Sequence, residues 1–235
     1  MCGPISPGDC RRARHGIPTP GNAVLPRHAT VAGGMLLIEP NDITALVLAG
    51  GKSRRMGGRD KGLLPFGDGV LIGHVLEAIL PQVGDVLISA NRNRDDYGQF
   101  GHPVLADPLE GYQGPLAGFL AGLEHMQTRY LLTLPCDGPV VVRDLAGRLA
   151  RGLSEADADI AVAHDGHRLQ PVYALLHRSV LPDLRLALQE GERKIDRWYP
   201  RHRWVTVDFS DVPEQFSNIN TPDDYASAGG SPLPG

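Results

Sequence analysis

The sequence predicts an α/β protein in which a mainly parallel central β-sheet carries helices on both faces. From Ile43 onward, short runs rich in leucine and β-branched residues alternate with longer amphipathic segments, which is typical of such sheets. The chain has 235 residues, 42% of them hydrophobic, so it can bury the core that this sheet requires. Residues 1–40 are rich in Pro, Gly and Arg without helical or strand periodicity. We therefore predict a disordered or non-native tail over residues 1–40 and a folded domain over residues 41–229.

The elements follow in order along the chain. Predicted strands begin at Ile43 (ITALVLA), Asp85 (DVLISAN), Pro103 (PVLAD), Tyr130 (YLLTLP), Asp159 (DIAVA), Pro171 (PVYALL) and Trp204 (WVTVDF). Apolar residues at helical spacing predict helices over residues 72–80, 115–127, 143–153 and 179–189, with a last helix after Pro222. The second of these opens with proline, which suits the first position of a helix. Its glycines at 118 and 122 are four residues apart and would permit close packing.

Charge and composition restrict the partners that we expect. The net charge of -4 and the pI near 6.1 argue against nucleic acid or an anionic membrane surface. Apolar runs stay well short of the roughly 18 residues that a membrane span needs, so we expect a cytoplasmic protein. Its length and composition predict that it folds alone, and we expect a monomer. The three cysteines are widely spaced and lack ligand spacing, which predicts neither disulfide nor zinc, and a buried structural thiol at Cys136.

The stretch LAGGKSRRMGGRDK, residues 48–61, combines glycines and basic side chains directly after the first strand. It is not a Walker phosphate loop, because Leu46 stands where that motif requires a glycine, and it also lacks the spaced glycines of a dinucleotide fingerprint. Glycines let backbone amides approach an anion, and clustered cations can neutralise a triphosphate. The stretch therefore predicts an anion site rather than a solvated basic turn. Its basic residues are Lys52, Arg54, Arg55, Arg59 and Lys61.

Ligands of parallel α/β sheets bind at the carboxyl ends of the strands. The first strand ends at Ala49, the second at Ser89-Ala90-Asn91, the third at Asp107 and the fourth at Asp137, so these residues should face one crevice. A solvent-facing carboxylate at Asp137 could join Mg²⁺ to substrate phosphates, although CDGP also suits a turn. Asp107 in LADPLEG is equally compatible with a ligand contact and with a turn.

Five motifs together resemble the molybdenum cofactor guanylyltransferases, in the same order over about residues 43–225. They are LAGGKSRRMGGRDKGLL, ISANR from Ile88, DPLEGYQGPLAG from Asp107, LPCDGP from Leu134 and FSNINTPDDY from Phe216. The resemblance implies a Rossmann-like nucleotidyltransferase fold, with a nucleotide-binding half at about 41–140 and an acceptor-binding half at about 141–229. It implies transfer of GMP from GTP to molybdenum-molybdopterin with Mg²⁺, and cofactor-delivery chaperones or molybdoenzymes as further partners.

The resemblance also implies roles for single residues. The nucleotide side comprises Leu48, Ala49, Gly50, Gly51, Lys61, Ser89, Asp107 and Asp137. The catalytic set comprises Arg55, Lys61 and Asp137, with Asp137 also binding the metal. Ser89 stands where some members have asparagine, and its hydroxyl can replace only one of the amide hydrogen bonds. Asn218 and Asn220 resemble the family's paired asparagines on the pterin side. Alternatively, NTPDD caps the last helix, and both roles can coexist.

The acceptor side and the choice of nucleotide stay open at this stage. The segment from His164 to His177 resembles the family's acceptor-side segment loosely, and Arg168, Gln170, Lys194 and Arg197 are either acceptor contacts or solvated polar residues. One alternative function is CMP transfer to the same pterin or to a sugar or polyol phosphate. The related cytidylyltransferases of this cofactor typically have LAAG in the loop, whereas this chain has LAGG, which favours GTP. The other alternative is a catalytically silent binding module, against which the intact Lys61, Asp107 and Asp137 argue.

Overall fold

The computed structural model describes residues 37–49, 60–108 and 114–229. Most of the predicted tail, together with Gly50, Gly51 and Arg55, lies outside these ranges. In the described part of the chain, the strands are β1 (Ile43–Leu48), β2 (Pro65–Phe66), β3 (Gly69–Val70), β4 (Asp85–Ser89), β5 (Val104–Leu105), β6 (Tyr130–Pro135), β7 (Ile160–His164), β8 (Leu169–His177) and β9 (Trp204–Asp208). The pair β2–β3 forms a separate small hairpin.

Within these ranges, the other strands form one central sheet of seven strands in the order β5-β4-β1-β6-β8-β7-β9. All neighbouring pairs run parallel except those that involve β8, which is antiparallel to β6 and β7. The mainly parallel sheet predicted from the sequence is confirmed. The antiparallel strand follows from its short connection to β7 over residues 165–168, because parallel neighbours would need a crossover of about a dozen residues or more.

Helices connect most of the strands. They are α1 (Leu71–Ile79), α2 (Arg94–Gly98), α3 (Pro115–His125), α4 (Leu145–Glu155), α5 (Leu181–Gln189), α6 (Ile195–Trp198) and α7 (Pro222–Ser227). Each predicted helix is present within a few residues of its predicted bounds. The short helices α2 and α6 were not predicted, since four or five residues carry too little periodicity to distinguish a helix from a turn.

The sheet separates two apolar layers. Along β1, Ile43, Ala45 and Val47 pack with α1 and α4 on one face, whereas Leu46 packs with α3, α5 and α6 on the other. A strand buried on both faces reads as a continuous apolar run, as ITALVL does. Helices cover both faces of the sheet, as predicted. Polar side chains can therefore cluster only near the ends of the strands.

Helix α3 lies directly on the sheet because two glycines face β1. A Cβ atom on Gly118 would lie 2.5 Å from Leu48 Cδ2, and one on Gly122 would lie 2.9 Å from Leu46 Cδ2. The predicted close packing at these glycines is confirmed. Among the helices of the described ranges, none has the length and apolar character to cross a membrane.

Candidate active site

The carboxyl ends of β1, β4, β5 and β6 lie side by side at one edge of the sheet. The Ala49 amide donates to the Ser89 carbonyl at 2.8 Å, and the Cys136 amide donates to the Leu48 carbonyl at 3.1 Å. These backbone bonds continue the parallel ladders one residue beyond β1 and β6. Ligands of α/β sheets bind at this edge, so the residues that follow these strands form the candidate site.

Lys61 and Asp137 form the charged centre of the site, although 76 residues separate them in the chain. Lys61 Nζ donates to Asp137 Oδ2 at 2.8 Å, and the two side chains are only 17% and 14% exposed. The same ammonium donates to Asn220 Oδ1 at 2.8 Å. A lysine ammonium has three donors, so these contacts orient it at the strand edge. The carboxylate of Asp137 is largely buried and ion-paired, which corrects its interpretation as a solvent-facing group.

Asn91 and Asp107 form a second pair at the same edge. Asn91 Nδ2 donates to Asp107 Oδ2 at 2.7 Å, and the Asp107 amide donates to Asn91 Oδ1 at 2.8 Å. Burial raises the pKa of the Asp107 carboxyl, against the hydrogen bond from Asn91, which lowers it. The sequence placed Asn91 at a strand end facing the crevice but assigned it no role, and the reciprocal contact makes it a partner of Asp107. Its position in ISANR at the end of the second strand was the available signal.

Ser89 lies beneath this edge rather than in the open crevice. The residue is 2% exposed, and its hydroxyl is 3.0 Å from the position that a Cβ on Gly118 would occupy. This placement in the layer between sheet and helix favours a packing role for the serine. Its predicted contact with the nucleotide stays a prediction. Leu48 and Ala49 lie at the end of β1, with Ala49 2% exposed.

The segment 217–221 carries the two asparagines to the end of β6. The Ile219 amide donates to the Asp137 carbonyl at 2.8 Å, and the Tyr173 hydroxyl donates to Asn218 Oδ1 at 3.3 Å. These contacts place both asparagines beside Asp137 and explain why Asn220 reaches Lys61. The side-chain oxygen of Asn220 is engaged by Lys61. The predicted contacts of Asn218 and Asn220 with the acceptor stay predictions.

The same segment caps α7. Thr221 Oγ1 accepts from the Asp224 amide at 3.1 Å, and Asp224 Oδ2 accepts from the amides of Thr221 and Asn220 at 2.9 Å. This capping box satisfies amides that the first turn of a helix leaves unpaired. The predicted capping by NTPDD is confirmed, with Thr221 as the capping residue, and it coexists with the Lys61 contact of Asn220.

The predicted acceptor residues lie in different surroundings. Gln170 is buried and donates to Asp165 Oδ2 at 2.6 Å, so its amide is already engaged in the β7–β8 connection. Burial of Asp165 is outweighed by hydrogen bonds from the Arg168 and His167 amides and from Gln170, which hold its pKa at about 2. Arg168, Lys194 and Arg197 are exposed. Acceptor contacts by these side chains stay predictions.

Cys136 follows β6 directly and is almost fully buried. It is 6% exposed, and burial, followed by Asp137 and Asp60, raises the pKa of its thiol well above the ordinary value. A buried, protonated thiol is a poor nucleophile. The predicted structural role of Cys136 is confirmed.

A metal at this edge would depend on the substrate for most of its ligands. Among the described residues, no group of three or more His, Cys, Asp and Glu side chains could hold a metal ion. Mg²⁺ in nucleotide sites is bound through one or two carboxylates together with substrate phosphates. The single carboxylate of Asp137, at a strand end beside Lys61, fits that mode of binding.

A mostly parallel sheet with a lysine–aspartate ion pair at its carboxyl edge is the arrangement expected of a nucleotidyltransferase of the α/β class. Residues 45–205 match the family described as MobA-like NTP transferase domain. The chain belongs to this family. MobA-type nucleotidyltransferases are generally dependent on a divalent metal.

Similar proteins agree with this membership. A molybdenum cofactor guanylyltransferase of Shewanella piezotolerans is 48% identical over 181 residues, which cover 77% of this chain and 89% of the relative. Its counterpart in Shewanella halifaxensis is 46% identical over 187 residues, with 80% and 94% covered.

Solved structures share the fold. The molybdopterin-guanine dinucleotide biosynthesis protein A of Archaeoglobus fulgidus has a TM-score of 0.68 at 25% identity and covers 79% of this chain and 96% of its own. A 4-diphosphocytidyl-2C-methyl-D-erythritol synthase of Anaerococcus prevotii has a TM-score of 0.61 at 11% identity, with 81% and 98% covered. The second likeness concerns the fold alone and leaves the nucleotide undecided.

Proposed function

We propose that this protein transfers GMP from GTP to molybdenum-molybdopterin, forming the guanine dinucleotide form of the cofactor and pyrophosphate. The proposal is supported by relatives at 48% identity that are named molybdenum cofactor guanylyltransferase. The observation that carries it is the Lys61–Asp137 pair at the carboxyl edge of the sheet. This pair offers a cation for phosphate oxygens and a carboxylate for a divalent metal in one place.

The reaction requires little acid–base chemistry from the protein. A terminal phosphate oxygen of the acceptor attacks the α-phosphorus of GTP, and the bond from that phosphorus to the oxygen bridging to the β-phosphate breaks. The attacking phosphate is largely ionised near neutral pH, so no side chain has to remove a proton. Catalysis then rests on positioning and on neutralising charge at the phosphates.

Within that scheme, the residues of the site divide the work. Lys61 neutralises phosphate charge, and its contacts with Asp137 and Asn220 aim it before the substrate arrives. Asp137 would hold Mg²⁺, which would supply Lewis-acid stabilisation at the phosphate oxygens. The Asn91–Asp107 pair offers hydrogen-bonding groups for the nucleoside on the other side of β1. Asn218 and Asn220 stand on the acceptor side. A cytoplasmic site of action fits a step of cofactor biosynthesis.

The experiment that tests this function is pyrophosphate release with molybdenum-molybdopterin and Mg²⁺, supplying GTP, CTP, ATP and UTP in parallel. We expect turnover with GTP alone. Turnover with CTP would retain the reaction class and overturn the nucleotide. Consumption of none of the four nucleotides by folded protein would overturn the enzymatic function and favour a silent binding module.

A further inference from the structure

Asp60 is the one acid in the stretch 48–61, and the proposed chemistry gives it no role. It directly precedes Lys61, yet its side chain is only 4% exposed. Burying a carboxylate is costly unless several donors satisfy it. A carboxylate buried next to the central cation of the site therefore requires donors that compensate its burial.

The carboxylate is held from one neighbouring segment. The Tyr97 hydroxyl donates to Asp60 Oδ1 at 2.5 Å, Asn93 Nδ2 donates to Oδ2 at 3.0 Å, and Arg92 Nε lies 3.5 Å from Oδ2. All three partners belong to α2 or to the connection that leads from β4 into it. Burial, with Cys136 and Asp60 acting in the same direction, raises the pKa of the Tyr97 hydroxyl, which therefore stays protonated and remains a donor.

The residue on the other side of Lys61 is held by packing. A Cβ on Gly62 would lie 2.5 Å from the Tyr97 hydroxyl oxygen and 3.2 Å from Cys136 Sγ. The backbone at position 62 therefore lies against both α2 and the end of β6. Both neighbours of Lys61 are thus fixed in place, Asp60 by hydrogen bonds and Gly62 by close packing. The Lys61 ammonium contacts Asp137.

The segment that holds Asp60 also carries the other half of the nucleotide site. Asn91, which pairs with Asp107, immediately precedes Arg92 and Asn93. The Asp60 carboxylate thus joins the chain around Lys61 to the chain around Asn91. A shift in this contact would change the spacing between the phosphate-side cation and the Asn91–Asp107 pair.

We propose that Asp60 is a positioning residue for nucleotide binding, whose buried carboxylate locks Lys61 and the β4–α2 connection into the spacing that one nucleotide requires. The proposal rests on the proposed function for the identity of that nucleotide. It does not rest on the identity of the acceptor, because each contact that carries it lies on the nucleotide side.

The test is Asp60→Asn, which keeps the shape of the side chain and turns one acceptor oxygen into a donor facing other donors. We expect kcat/KM for GTP to fall by about 10- to 100-fold, the loss that small misplacements of site residues cause. The Kd for GTP with Mg²⁺ and without acceptor should rise with it, while the KM for molybdenum-molybdopterin stays unchanged. A purely structural role would lower the melting temperature and leave both nucleotide constants at their wild-type values.

Tyr97→Phe is a second variant that tests the same contact if the Asp60→Asn protein folds poorly. It removes one hydrogen bond to Asp60 and keeps the buried ring, so we expect a shift in the same direction of about 3- to 10-fold. Asp159→Asn is the matched control, since Asp159 is a carboxylate with 16% side-chain exposure, 3.3 Å from Arg203 Nε, at the opposite edge of the sheet. It should lower stability without moving the nucleotide constants.

The outcomes separate this proposal from the proposed function. Folded Asp60→Asn and Tyr97→Phe proteins with wild-type Kd and kcat/KM for the nucleotide would overturn the positioning role. If the wild-type protein uses CTP instead of GTP, the proposed function falls, and the same variants measured with CTP still decide the role of Asp60. If Asp159→Asn weakens nucleotide binding as strongly as Asp60→Asn does, the positioning role of Asp60 is also overturned.

Discussion

At the scale of single residues, the site depends on charges placed where water is scarce. Lys61 and Asp137 are less than one-fifth exposed and in direct contact, so each compensates the burial of the other. Asn220 adds a neutral acceptor to the same ammonium. Removing either charge should therefore weaken the interaction with the substrate. It should also destabilise the fold, because the other charge is then buried without its partner.

Asp137→Asn should stop turnover while the protein stays folded. The amide retains the shape but binds a divalent metal poorly, and the metal's stabilisation of phosphate charge is worth several kcal/mol, so we expect kcat to fall about 1,000-fold or more. Pyrophosphate release and circular dichroism measure the two effects. Asp68→Asn, at a side chain that is fully exposed, is the control. Near-normal turnover by Asp137→Asn would remove this residue from the catalytic set.

Lys61→Ala should weaken the use of GTP more than the use of the acceptor. In the proposed mechanism the ammonium neutralises the phosphates of GTP, so its loss should raise the KM for GTP, with a cost of about 1.5–3 kcal/mol for a charged hydrogen bond. The KM for molybdenum-molybdopterin should change little, and separate titrations of the two substrates distinguish the effects. A larger rise in the acceptor KM would move Lys61 to the acceptor side.

At the scale of elements, the packing of α3 on β1 forms the floor of the site. Gly118 lies over Leu48 and Ser89, so the floor has no room for a further methyl group. The helix begins at Pro115, just beyond residues 109–113, which the structure does not describe.

Gly118→Ala should destabilise the protein although alanine is the better helix former. The new methyl group would lie 2.5 Å from Leu48 Cδ2, and overpacking of this kind costs about 1–3 kcal/mol. Gly147→Ala in α4 is the matched control, since its Cβ would meet nothing within 4 Å and should stabilise the helix by up to about 1 kcal/mol. Urea unfolding compares the two. Equal effects of the two substitutions would show that α3 can move away from the sheet.

At the scale of the whole molecule, one continuous sheet joins the two proposed halves. Strand β8 of the acceptor half pairs with β6 of the nucleotide half over residues 130–133 and 174–177. Asn220, from the far end of the chain, accepts a hydrogen bond from Lys61 of the ion pair. The halves thus share a hydrogen-bonded ladder and a site, although the resemblance divides them by function.

We expect the two halves to unfold as one cooperative unit. The two tryptophans, Trp198 and Trp204, both lie in the proposed acceptor half, so their fluorescence reports on that half while far-ultraviolet circular dichroism reports on the whole chain. Urea midpoints from the two probes should coincide, as for a two-state transition, and Mg²⁺ with GTP should raise both. Separate midpoints, or a nucleotide effect absent from the fluorescence transition, would show that the halves are independent.

The sequence alone determined the alternation of strands and helices, the parallel character of most of the sheet, and the strand-end positions of Asp107 and Asp137. These features follow from periodicity and from the rule that ligands meet the carboxyl ends of parallel strands, both of which are visible in short windows of sequence. The proposed role of Asp137 and the proposed use of GTP came from the resemblance of whole motifs.

Only the tertiary structure decided which of these residues meet. Lys61 contacts Asp137 and Asn220 across 76 and 159 residues of chain, Asp60 turns inward to Tyr97, and β8 runs antiparallel between β6 and β7. No local pattern predicts such contacts, because they depend on the order in which distant strands pair. That order is set by the packing of helices against the complete sheet, which exists only in the folded chain.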